Sequence, residues 1–144
     1  MNAVYTIGRI FLSLVFVVSG VQKLMDIAGT AKYLEGLNVP IPDQVTTYLA
    51  QYSTIPKYEA LAYLVSGVEV LGALMVLVGL KARWGAALLI IFTALTVVVA
   101  HHFWDMTGEA FQTNLVQALK NLSVIGGLLL VVAVGSGTTA VDRR

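Results

Sequence analysis

The residues of this chain that could do chemistry lie where chemistry is expensive. Arg9, Lys23, Glu69, His101, Trp104, Lys120 and Asn121 all fall inside or at the ends of long apolar runs. An ionised side chain at mid-bilayer costs about 2.5 to 3.5 kcal/mol on insertion scales, so such groups face a bundle interior and find partners. Glu69 is the strongest signal. It sits near the middle of its run, too deep to reach either surface, and Ser66, Gly72 and Ala73 on the same helical face are small enough to admit a neighbouring helix. Arg9, Ser13, Phe16, Gly20 and Lys23 recur at i, i+4, i+7, i+11 and i+14, which puts two cations, a hydroxyl and a glycine on one face. A plainer role stands beside each. Arg9 and Lys23 could snorkel to their own interfaces, and Glu69 could hold the bundle together through an ion pair with Lys23 or Lys120.

His101 and His102 are adjacent, so on a helix they diverge by about 100° and make a poor metal site, unlike an i, i+4 pair. No metal is expected. Antiparallel spans would bring Lys23, His101, Lys120 and Asn121 to similar depth in the outer leaflet, with Trp104 beside them and Glu69 beneath. Such a pocket offers cations, a carboxylate, a titratable histidine and hydrogen-bond donors at the edge of an apolar cavity, and suits a quinone head group or a small oxyanion. It lacks a Ser, His and acid set on a nucleophile elbow, a phosphate-cradling glycine loop and an H-E-x-x-H motif.

The elements that must position these residues follow from composition. Of 144 residues, 58% are hydrophobic and 12% charged, with a formal charge of +1 and no cysteine. The charged share is about half that of a soluble domain, there is no basic run to bind nucleic acid, and disulfides, thiolate metal sites and iron–sulfur clusters are excluded. Apolar residues gather in four runs, 5–25, 58–80, 84–103 and 115–135, each about the 20 residues that cross a ~30 Å hydrocarbon core as helix. The expectation is one all-α membrane domain over 1–144, four transmembrane helices in an antiparallel bundle. The first run resembles a signal peptide in part, with Arg9 ahead of an apolar stretch, but it resumes through Val21 and Leu24 with no A-x-A-like site.

Arg9, Lys81, Arg83, Arg143 and Arg144 fall on one side of this arrangement, Lys32 and Lys57 on the other, so both termini are expected in the cytoplasm and the chain in a bacterial or archaeal cytoplasmic membrane. The long first outer loop holds all three prolines and a stretch, Asp43 to Ser53, that fits a surface helix capped by Asp43, with Val45, Tyr48, Leu49 and Tyr52 on one face. Small residues at Gly72, Gly79 and Gly85 could pack within the bundle or between protomers of a homo-oligomer.

Several short motifs, in order, carry a resemblance. Ser19 to Asp26 followed by Gly29, Thr30 and Tyr33, then Val68 to Gly72, His101 to Asp105, Leu119 to Leu122 with Gly126 and Gly127, and Gly135 to Gly137 with Asp142 resemble the DoxX family of small membrane proteins over nearly the whole chain. The resemblance implies a four-helix membrane protein and links to thiosulfate and quinone oxidoreduction or to membrane assemblies with soluble redox enzymes. Three readings follow. The first is a membrane subunit of a redox assembly, its outer pocket holding a quinone or sulfur oxyanion while a partner carries the electrons; no intrinsic cofactor is expected, at most a bound quinone or lipid. The second is a non-catalytic assembly or stabilising subunit whose loop docks a partner. The third is a small-solute or proton pathway through Glu69.

Overall fold

The computed structural model describes residues 2–137 and 140–141. Asp142, Arg143 and Arg144, which enter the resemblance and the charge asymmetry above, lie outside the described residues. Among those described there is no strand, and four helices are long and apolar enough to cross a membrane. They are α1 (Asn2–Met25), α4 (Lys57–Val78), α5 (Ala82–Ala100) and α6 (Gly108–Val134), with the short helices α2 (Ile27–Gly36) and α3 (Asp43–Tyr52) between the first two. The protein is thus a multi-pass, all-α membrane protein.

Local chemistry explains where these helices begin. Asp26 caps α2, its Oδ1 accepting the Gly29 N–H at 2.9 Å, which satisfies one of the orphan donors of the first turn. In α3 the cap position falls on Pro42, and Asp43 is the first helical residue, a carboxylate against the positive end of the helix dipole. Asp43 therefore acts one position later than the sequence pattern places it. α5 stops at Ala100, ahead of both histidines, and the chain passes through a 3-10 turn at Phe103–Asp105 into α6. α6 begins at Gly108, before the apolar run that starts at 115. Glu109 in its first turn favours the start, and Gln112 to Asn114 contain nothing that breaks a helix.

Lipid tails are as apolar as leucine, so packing and polar contacts hold these helices together. α4 lies between α1 and α5, and α5 carries α6 on its other side. Small residues set the approach. A Cβ added at Gly85 would lie 2.9 Å from the Gly72 carbonyl oxygen and 2.7 Å from Met75 Cβ, and one at Gly20 would lie 2.6 Å from Val70 Cγ2. α1 and α6 meet where Leu12 faces Gly127. Phe16, Ala73, Val76, Ala82, Ala86, Leu89, Leu128 and Val131 form the core, while Phe11, Leu71, Leu95, Leu122 and Leu130 point outward, as lipid-facing side chains should. The buried hydroxyls of Ser13, Ser66 and Thr93 each donate at 2.7 Å to the carbonyl four residues earlier, on Arg9, Ala62 and Leu89, so all three are satisfied inside the bundle.

Candidate functional site

One polar contact joins two spans through their interior. Lys23 Nζ lies 2.5 Å from Glu69 Oε2, and Lys23 also donates to Ser19 Oγ at 2.7 Å, one turn back on its own helix. The Glu69 side chain is 3% exposed and that of Lys23 33%, so the carboxylate is held inside the bundle and the ammonium reaches it from the edge. The Phe92 ring of α5 lies under the ammonium, 5.6 Å from its centroid, close enough for a cation–π attraction. Thr30 Oγ1 of α2 donates to the Lys23 carbonyl oxygen at 3.3 Å and to that of Asp26 at 2.9 Å, which fixes α2 across the end of α1.

The other candidate residues make contacts of their own. His101 Nδ1 is 3.0 Å from Asn114 Oδ1, and Asn114 in turn donates to the Ala110 carbonyl. His102 lies against the Val99 carbonyl at 3.1 Å and 3.8 Å from Asp105. Trp104 is 58% exposed and meets the Phe103 ring edge-on, with centroids 5.5 Å apart. Phe103 also packs on Phe111 of α6. Lys120 is exposed on α6 and Asn121 half-buried beside it; Glu69 takes Lys23 as its cation. Arg9 is far down α1 at the opposite end of the bundle, buried against the Gly79 turn. Ser19, Phe92 and Asn114 take part in these contacts without being site candidates in the sequence pattern. Ser19 is signalled by its place one turn before Lys23, whereas Phe92 and Asn114 become partners only through tertiary packing.

Among the described residues no group of three or more His, Cys, Asp or Glu could hold a metal ion. The contact between His101 and Asn114 ties the end of α5 to the start of α6, across the turn that joins them. Asn114→Ala should therefore cost only about 0.5 to 1.5 kcal/mol, the net worth of a half-buried hydrogen bond, and should loosen hydrogen exchange in residues 101–110 while leaving the four spans protected. A loss of protection in α1 or α4 would contradict that local role.

The chain matches the DoxX family model over residues 4–102. It is 34% identical over 138 residues to the inner membrane protein YphA of Escherichia coli K12, a match covering 96% of this chain and 87% of that protein. With the inner membrane protein YqjF of the same organism the identity is 28% over 137 residues, covering 95% and 88%. A shorter match, 30% over 83 residues, joins 56% of this chain to 28% of a Surfeit locus protein 4 homolog from Schizosaccharomyces pombe. No solved structure matches it.

Proposed function

The chain belongs to the DoxX family of membrane proteins, and on that premise we propose that it is a non-catalytic subunit of a cytoplasmic-membrane assembly, both termini inside, which docks a partner through its outer loop. The observation that supports this most is how the polar side chains divide. Lys23 and Glu69 hold α1 to α4, His101 and Asn114 hold α5 to α6, and each pair satisfies itself locally. The outer loop, by contrast, offers surface. α3 has no buried residue, and Val45, Tyr48, Tyr52 and the following Ile55 are 45%, 63%, 66% and 44% exposed, a rigid aromatic face of the kind that anchors interfaces. Membrane lipid covers the rest of the bundle.

A second reading is favoured by one feature, the partial exposure of Lys23 over Phe92. A quinone carbonyl or a small sulfur oxyanion could take a hydrogen bond from that ammonium, with His101, Trp104, Lys120 and Asn121 along the approach, and a partner would carry the electrons because this chain has no cysteine. Isolation of the complex from gently solubilised membranes separates the two. Tyr48→Asp with Tyr52→Asp should release the partner by removing two aromatic anchors, a loss of roughly 2 to 4 kcal/mol, and should leave the chain folded. A complex that survives this change intact would sink the docking role of α3.

A further inference from the structure

The end of the bundle opposite the ion pair carries a second polar feature, a groove of about 420 Å³ between the α4–α5 turn and the end of α6, lined by Lys81, Arg83, Trp84, Val134, Gly135 and Ser136. Its walls are fixed by backbone geometry. α4 ends at Gly79 with φ +75°, and Lys81 follows at φ +49°, a left-handed conformation uncommon for a residue with a Cβ. That conformation turns the chain directly into α5, which opens with no side-chain cap and so presents the positive end of its dipole. On the opposite wall Gly135 turns the chain away from α6, and the Tyr5 hydroxyl donates to its carbonyl oxygen at 2.5 Å. Arg83 folds over the same wall, one guanidinium nitrogen donating to the Ala133 carbonyl at 3.3 Å, with donors to spare.

Among the described residues the charge here is one-sided. Lys81 and Arg83 line the groove, and Arg9 lies behind the Gly79 turn, 3% exposed, with neither Nε nor Nη1 hydrogen-bonded among the described residues. Every described carboxylate lies elsewhere: Asp26, Glu35, Asp43, Glu59, Asp105 and Glu109 belong to the outer loops and helix starts, and Glu69 to the middle of α4. The surroundings are those of a lipid headgroup. Trp84 is 74% exposed, as an interfacial aromatic residue is, and Leu80 and Val134, each 46% exposed, give acyl chains an apolar flank on either side of the cations.

We propose that this groove holds the phosphate of an anionic phospholipid from the adjoining leaflet, with Lys81 and Arg83 as its donors. A juxtamembrane cation attracts an anionic lipid by about 1 kcal/mol, a factor of about fivefold. In nanodiscs of mixed composition, native mass spectrometry of the full chain should retain phosphatidylglycerol over phosphatidylcholine, and Lys81→Gln with Arg83→Gln should lower that preference by about 30-fold. Lys32→Gln with Lys57→Gln, which removes two cations from the outer loops, should lower it far less, because neither lysine lines this groove. Equal retention of the two lipids by the natural chain, or an equal loss in both double variants, would overturn the proposal. Inorganic phosphate should not displace the lipid at millimolar concentration; displacement would assign the groove to a soluble phosphate ester. Asp142→Asn should also leave the preference as it is. A preference gained only in that variant would mean that the Asp142 carboxylate is the natural occupant and the lipid is not.

Discussion

Lys23→Met should cost the bundle about 3 to 5 kcal/mol, because it leaves the Glu69 carboxylate inside the protein with no cation. Glu69→Gln should cost less, roughly 1 to 3 kcal/mol. The asymmetry comes from exposure. With Glu69 neutralised, the Lys23 ammonium keeps the Ser19 hydroxyl and the Phe92 ring, and its long stem lets it turn toward the interface. With Lys23 removed, the carboxylate has nowhere to go. Lys23→Met combined with Glu69→Leu should return most of the stability, since an apolar pair of similar volume needs no desolvation. Unfolding of the natural chain, Lys23→Met, Glu69→Leu and the double variant in mild detergent closes the cycle and gives the coupling energy directly. Additive losses, or a larger loss from Glu69→Gln, would count against the contact as the link between α1 and α4.

Gly85→Val should separate α4 from α5. A Cβ at this position meets the Gly72 carbonyl oxygen and Met75 Cβ, one of them backbone and the other the root of its side chain, so neither can swing aside. Overpacking of this kind costs about 1 to 3 kcal/mol for a single added carbon, which is the expectation for Gly85→Ala, and the branched side chain of valine should cost more. Gly126, where an added Cβ meets nothing within 4 Å, provides the control. Gly126→Ala should be neutral or stabilise by up to about 1 kcal/mol through better helix propensity. Equal tolerance of Gly85→Val and Gly126→Ala would show that the close crossing of the two spans is not used in the membrane.

The spans were legible because hydropathy is a property of consecutive residues, and the bilayer sets their length. The inward face of α1 was legible for a similar reason: Arg9, Ser13, Phe16 and Gly20 lie buried along one stripe, and helical periodicity alone lines them up. What periodicity does not carry is which helix stands beside which. Lys23 and Lys120 looked equally able to reach Glu69, and the choice falls to Lys23 because α1, not α6, packs along α4. His101 finds Asn114 for a related reason, since α6 begins well before its apolar run and adds two turns, over 108–114, that hydropathy does not mark. α2 carries no comparable signal, because its start depends on one capping carboxylate, Asp26, and its ten residues are too few and too mixed to stand out in hydropathy.

With the buried charges as structure and the loop between α1 and α4 as the proposed docking surface, one measurement separates the two most directly. The Lys23→Met, Glu69→Leu double variant replaces the natural chain in the cell, and the isolated membrane complex is compared for composition and turnover. The prediction is a complex of unchanged composition that works at the natural rate. A double variant that is as stable as the natural chain, sits in an intact complex and yet no longer supports turnover would contradict the account and place the chemistry at Lys23.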